Sequence, residues 1–359
     1  DIGYGITSDS SDNVYVTGGT AGGLDGNTNA GSSDLFVVKY NSSGVKQWTQ
    51  QLGTSWSDFG KSITVGPSGN IFVTGHTEGD LDGNTNAGHT AGGADIYIVK
   101  YDSNGGKLWT QQLGVHKNDY ATSVVTDSLG NVYVTGTTYG GLDGNKNAGD
   151  RDLFVVKYNS NGVKQWTKQL GTLYVDGGEG IAADAFGNVY IAGTTSGGLD
   201  GNTIAGGSDI FVVKYNSSGV KLWTQQLGTS EGDVGYGIAV DASGNIYVNG
   251  ITRADFDGLS NAGVYDILVV KFNSNGVKQW TQQLGSTSNE WAFAITSDSN
   301  GNVYVTGYTG GDLDGNTSAG SDDLFVVKYD SAGVKQWTQQ LGTSESDIGY
   351  GITSDSSDN

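Results

Sequence analysis

The chain has 359 residues, enough to bury a large core, and its 61 glycines and nineteen tyrosines beside a single proline suit many short strands joined by tight turns. Thirty-eight acidic against 18 basic residues give a net charge of -20, which repels phosphate backbones and anionic lipid, so neither nucleic acid nor a membrane surface is an expected partner. With no cysteine there is neither a disulfide framework nor a Cys/His zinc site, and no stretch approaches the ~18 apolar residues of a membrane span.

The first elements set a pattern. Tyr4 to Ser8, Val14 to Thr17, Leu35 to Tyr40 and Lys46 to Leu52 read as strands. The polar turns Ser10-Ser11-Asp12-Asn13 and Asn41-Ser42-Ser43-Gly44 make tight hairpins of the first and second pairs. Leu35-Phe36-Val37-Val38 is apolar on both faces, as expected of a sheet held between two neighbouring sheets. The pattern then returns about every 57 residues, marked by Trp48, Trp109, Trp166, Trp223, Trp280 and Trp337, with one interval lengthened by the insertion His89 to Gly92. Stacked four-stranded meanders at this period predict an all-β, six-bladed β-propeller of antiparallel blades, at about 1-57, 58-118, 119-175, 176-232, 233-289 and 290-346.

The segments Gly-Asn-Val-Tyr-Val-Thr-Gly (130-136), Asp-Leu-Phe-Val-Val-Lys-Tyr (34-40) and Trp-Thr-Gln-Gln-Leu-Gly (48-53) together resemble the SBBP family of bacterial β-propeller repeats over essentially the whole chain. The resemblance implies an exported or cell-surface protein, often within a long repetitive polypeptide, and supplies no catalytic residues. The family name refers to seven blades, whereas six repeats are counted here.

Residues 1-13 return unchanged as residues 347-359, while the internal counterpart Asp233 to Asn245 matches at only eight of thirteen positions. The copied unit therefore reads as the whole six-repeat propeller. The spare first strand belongs to a tandem array cut at a repeat boundary, to a strand exchanged between neighbouring molecules, or to the way the chain was delimited. An opening Asp1 with no methionine reads as a processed product or a window on something longer.

The long loop between second and third strands carries the sharpest chemical signal. Asp25, Asn27, Asn29 and Asp34 place oxygen side chains at alternate positions, a pattern suited to calcium. Asp82, Asn84, Asn86 and Asp95; Asp143, Asn145, Asn147 and Asp152; Asp200, Asn202 and Asp209; and Asp314, Asn316 and Asp323 are comparable. The other reading is that these side chains fold the loop by bonding its own amides, with Asp34 capping the turn before the third strand. Calcium is the one cofactor considered, and no organic cofactor is expected.

Trp56, His116, Lys117, Tyr174 and Trp291 lie in or beside the connections between blades and are the candidate ligand surface, whereas the six periodic tryptophans are expected to pack between blades. Lys39, Lys100, Lys157, Lys214, Lys271 and Lys328 close the apolar third strands, with the repeated Asp9, Asp127, Asp184, Asp241 and Asp298 as their expected ion-pair partners. Only Arg151 and Arg253 are present, too few for the arginine cluster that grips a carboxylate in sialidase propellers, and no carboxylate pair is singled out for hydrolysis. The expectation is a non-enzymatic extracellular propeller, self-associating or linked to neighbouring propellers, with a lectin-like or adhesin surface for a glycan or other surface ligand as the alternative.

Overall fold

The computed structural model describes residues 1-88 and 93-355, so the insertion at 89-92 and the last four residues lie outside the described residues. Six four-stranded antiparallel sheets, each with its strands in chain order, make the protein the all-β, six-bladed propeller its periodicity predicts. Blade 1 holds β1 (Ile2–Ser8), β2 (Val14–Thr20), β3 (Asp34–Tyr40) and β4 (Lys46–Leu52). Blade 2 holds β5 (Asp58–Val65), β6 (Ile71–Thr77), β7 (Asp95–Tyr101) and β8 (Lys107–Leu113), and blade 3 β9 (Asp119–Thr126), β10 (Val132–Thr138), β11 (Asp152–Tyr158) and β12 (Lys164–Leu170). Blade 4 holds β13 (Asp176–Ala183), β14 (Val189–Thr195), β15 (Asp209–Tyr215) and β16 (Lys221–Leu227). Blade 5 follows with β17 (Asp233–Val240), β18 (Ile246–Thr252), β19 (Asp266–Phe272) and β20 (Lys278–Leu284), and blade 6 with β21 (Glu290–Ser297), β22 (Val303–Thr309), β23 (Asp323–Tyr329) and β24 (Lys335–Leu341).

Two compact units divide the chain, Asp1–Gly187 and, in the main, Asn188–Ser354. In the first, β5 lies on β1, β2 and β3, β9 on β5, β6 and β7, and β13 on β9, β10 and β11. In the second, β17 lies on β14 and β15, and β21 on β17, β18 and β19. The first strand of a blade thus covers the sheet before it, which explains why third strands are apolar on both faces. Between blades 2 and 3, Phe72, Ile96 and Ile98 meet Ala121, Val124, Val134 and Phe154, all buried. Each large apolar side chain enclosed this way stabilises the fold by ~1.5–3 kcal/mol.

The periodic tryptophans key one blade to the next. Trp48 packs on Tyr15 of its own blade, with ring centroids 6.1 Å apart, and its Nε1 donates to the Ser103 carbonyl of blade 2 at 3.3 Å. Its indole lies against Gly105, whose φ is +85°, and a Cβ there would come within 3.0 Å of the ring. Gly162 meets Trp109, Gly276 meets Trp223 and Gly333 meets Trp280 in the same way. Gly162→Ala is expected to cost about 1–3 kcal/mol in urea unfolding, from left-handed backbone strain plus the indole clash. Gly44→Ala has a φ of +73° but open space around it, so it should show only the strain, about 1 kcal/mol. Equal losses at the two sites would show that the indole contact contributes nothing.

The repeat pattern matches the third-strand lysines with Asp9 and its counterparts; Asp127 does act on Lys157 through its charge, whereas Lys39, Lys100, Lys214 and Lys271 bond backbone carbonyls. Lys100 Nζ donates to the Ser160 carbonyl at 2.7 Å and lies 5.3 Å from the Phe72 ring centre. Lys39 and Lys271 likewise donate to Ser103 and Ser331, at 3.2 and 2.8 Å, and lie over Tyr15 and Tyr247. A carbonyl of the next blade's hairpin and an aromatic face replace the water these ammonium groups lose. Asp9 is occupied by its own turn. Burial would raise its pKa, but hydrogen bonds from Asn13, Tyr15 and the backbone prevail and lower it.

Candidate functional site

Each long loop turns on an Asp-Gly pair in left-handed conformation, φ 52° at Asp25 and 82° at Gly26 in blade 1. This backbone brings Asp25 to Lys46 and Thr49 of β4, and the hydrogen bond from Lys46 is the leading reason its carboxyl titrates below the usual range. Asp82–Lys107, Asp143–Lys164, Asp200–Lys221, Asp257–Lys278 and Asp314–Lys335 are equivalent ion pairs. The Asn27 side chain donates to the Leu24 carbonyl at 2.8 Å, as Asn84, Asn145, Asn202 and Asn316 do to Leu81, Leu142, Leu199 and Leu313. Asn29, Asn86 and Asn147 accept from the amides of Gly31, Gly88 and Gly149.

Asp34 is wholly buried, and its Oδ2 accepts from the Ala30 amide and the Gln51 side chain, both at 2.9 Å. Asp95, Asp152, Asp209 and Asp323 repeat the arrangement with Gln112, Gln169, Gln226 and Gln340. The glutamine just before the leucine of each fourth strand is therefore the loop's clamp; Gln51 also accepts from the Leu24 amide and donates to the Gly22 carbonyl. Asp25 and its counterparts are turned to a lysine and the asparagines to the loop's own groups, whereas the Oδ1 atoms of Asp34, Asp95, Asp152, Asp209 and Asp323 are buried without a hydrogen-bond partner among the described residues. Among the described residues no cluster of three or more His, Cys, Asp or Glu side chains is placed to hold a metal. Chelation by EGTA separates the two readings: Tm stays unchanged if the loops are held by their own bonds alone, and falls, recovering with added calcium, if a cation occupies them.

Individuality lies at the seams between blades, where the repeats disagree. In the first unit one row of side chains crosses blades 2 to 4. The Phe59 and His76 rings lie 5.3 Å apart, His76 and Tyr120 meet edge-on at 4.9 Å, and Tyr120 and Tyr139 edge-on at 6.4 Å. Arg151 Nη1 donates to the Tyr139 hydroxyl at 3.4 Å, and its buried Nε has no hydrogen-bond acceptor among the described residues. Burial, assisted by the Lys61 ammonium, lowers His76 to about 4, so its imidazole is neutral at ordinary pH. Burial raises Glu179 of β13 to about 7 and the Arg151 charge offsets this only in part. Glu179 is half-buried on β13, the first strand of blade 4.

In the second unit the seam of blades 5 and 6 is aromatic. Trp291 lies 5.4 Å from Tyr265, 5.9 Å from Tyr236 and 6.3 Å from Tyr308, nearly parallel to the last at 11°. Phe293 touches Tyr308 and Tyr350, and the Arg253 guanidinium lies 5.1 Å from the Tyr265 ring centre. Of the ligand residues expected from sequence, only Trp291 joins a cluster. Trp56 and Tyr174 are exposed on separate loops, and His116 and Lys117 are exposed on a third. The seam residues carry no motif; they emerge when the repeats are aligned as columns, since Phe59, Tyr120, Gly177, Val234 and Trp291 all occupy one place.

Six sheets of one repeated design, with differences confined to loops and seams, define a repeat-built β-propeller. The chain belongs to the SBBP β-propeller repeat family, whose profile matches residues 47-82, 108-143, 165-200, 222-257 and 279-314. It is 27% identical over 331 residues to regulatory protein FlaEY of Caulobacter vibrioides, covering 80% of this chain and 34% of that protein. It is 24% identical to an uncharacterised WD-repeat-containing protein of Acanthamoeba polyphaga mimivirus, covering 87% of this chain and 30% of that one. The chain thus spans about a third of the length of these curated relatives. A solved ulvan lyase of a new polysaccharide lyase family covers 94% of this chain and 82% of its own, with a TM-score of 0.52 and 11% identity, a likeness of fold alone. No helix among the described residues is long and apolar enough to cross a membrane.

Proposed function

We propose that the chain is a structural, non-enzymatic propeller module of an exported or cell-surface assembly, joined end to end with further propellers or further copies of itself. The observation that carries this reading is how the second copy of the first strand is docked. Residues 347-354 repeat residues 1-8 and lie on blade 6 as internal first strands lie on the blade before them. The Asp347 amide donates to the Asp322 carbonyl at 2.7 Å, as Asp58 does to Ser33 at 2.7 Å. Asp347 Oδ2 accepts from the Thr343 amide and hydroxyl at 2.6 and 2.8 Å, as Asp58 does from Thr54 at 2.6 and 2.9 Å. The terminal segment makes these contacts without belonging to any of the six sheets.

The two ends also complement each other. Trp337 of blade 6 is 39% exposed, whereas the corresponding glycine of blade 1, Gly44, has open space where Gly105 and Gly162 hold an indole. One end offers the ring and the other the turn, so successive bodies can join by the seam used between blades. The greater length of the relatives supports a modular role. Absence of cysteine and methionine fits an abundant protein facing oxidants outside the cell.

Light scattering and electron microscopy of the chain with and without residues 347-359 test the proposal. Chains or fibres that grow with concentration and vanish on truncation are expected. A monomer at every concentration for the intact chain, with the same dimensions as the truncated form, would overturn it.

A further inference from the structure

We propose that the long-loop face of blade 5 binds an uncharged glycan, through the cleft at Arg253 and the aromatic patch of Tyr265, Trp291 and Tyr308 beside it. The cleft itself lies away from the terminal segment and does not depend on end-to-end assembly, although the far end of the patch meets that segment through Phe293 and Tyr350. The cleft has a volume of about 550 Å³ and is lined chiefly by Thr229, Ser230, Arg253, Asp255, Asp257 and Asn261. That size is within the range of small-molecule sites. Hydroxyls, carboxylates and one guanidinium line it, the donor and acceptor types that sugar hydroxyl groups bond.

Arg253 is what distinguishes this blade. Its place is held elsewhere by Ala21, Glu78, Tyr139, Ser196 and Gly310. The guanidinium is exposed and held over Tyr265, and it has no hydrogen-bond or ion-pair partner among the described residues. A donor fork already fixed by stacking loses less freedom when it binds. Beyond it the rings of Tyr265, Trp291 and Tyr308 run together and keep partial exposure, offering apolar faces to the C–H side of a pyranose.

Charge selects among glycans. Asp255 and Asp257 flank the arginine in the same cleft, and the chain as a whole carries -20. Arg253 and Lys278 balance Asp255 and Asp257 within the cleft, so a uronate or sulfate gains no net local attraction there and still meets the chain's charge of -20. Sugar hydroxyls instead donate to these carboxylates and accept from Arg253.

Affinity electrophoresis through gels containing laminarin, galactomannan or xylan, with polygalacturonate as the acidic comparison, tests this. The intact chain is expected to be retarded by at least one neutral polymer and not by polygalacturonate. Arg253→Gln should weaken retardation about tenfold, the scale of losing a charged donor. Trp291→Ala should weaken it at least as much; if that variant lowers Tm, the surface change Arg253→Gln keeps the test decisive. No retardation by any neutral polymer, retardation by polygalacturonate alone, or unaltered binding by Arg253→Gln would each overturn the proposal.

Discussion

Replacing Asp152 with alanine is expected to destabilise the protein by about 3–5 kcal/mol, whereas Asp143→Ala, nine positions earlier in the same loop, should cost under about 1 kcal/mol. The asymmetry comes from position. Asp152 is fully buried, and its Oδ2 holds the Ala148 amide at 2.8 Å and the Gln169 side chain at 2.9 Å. Truncation strands both donors in the interior and frees Gln169, which also supports the Leu142 amide. Asp143 meets Lys164 and Thr167 at a partly exposed surface, where water takes over readily. Asp152→Asn keeps an acceptor oxygen and should fall between the two. Urea unfolding followed by circular dichroism measures all three. Comparable losses for Asp152→Ala and Asp143→Ala would mean that both act on one shared partner, as a bound cation would require.

Stability is also expected to fall as pH rises from about 4.5 to 7.5, opposite to the usual behaviour of a protein held by ionised carboxylates. Burial raises Glu179 from its ordinary 4.5 to about 7, and raises Asp119 from 3.8 to about 7. Between the ordinary and raised values the native chain keeps a proton that the unfolded chain has released, so raising the pH favours unfolding. Each of the two shifts represents about 3 kcal/mol across that window. Burial moves Asp58, Asp95, Asp233 and Glu290 in the same direction.

Asp9, Asp82, Asp298 and Asp314 are lowered despite some burial, because hydrogen bonds favour their charged forms; their contribution is present above the ordinary value and is lost as acid protonates them. The two groups place the optimum near pH 4–5. Calorimetry should show Tm declining from pH 5 to 7.5, with a shallower decline in Glu179→Gln and in Asp119→Asn. A Tm flat across that interval in the unaltered chain would show that these carboxyls ionise inside the fold without penalty.

Blade number, strand order and hairpins could be read directly, because a repeat states the same local physics six times and accidental features average out. The periodic tryptophans were legible for the same reason: a residue held at fixed spacing among strand residues has to serve the seam. Partnerships were harder to read. Asp25 looked like a cation ligand from its spacing, but its left-handed backbone turns it to Lys46, and no linear pattern reports that turn. The repeat pairs Lys39 with Asp9, yet its ammonium donates to the Ser103 carbonyl, in another repeat. Gln51 was passed over as a polar strand residue and proves to hold its loop by three bonds. In the sequence Arg253 stands out only as one of two arginines, too few for a carboxylate-gripping cluster, and Glu179 carries no signal, because a repeat is silent about what occurs once.

The lock between tryptophan and turn glycine is directional: Trp48, Trp109, Trp223 and Trp280 each extend forward onto the turn glycine of the following blade. A joint of that kind stays intact when whole blades are inserted, lost or shuffled, but fails when the break falls inside one. Unequal crossing-over in the underlying gene would therefore yield folded products at repeat-sized steps and misfolded ones otherwise, so the geometry of a single indole sets the unit in which such proteins change length over generations.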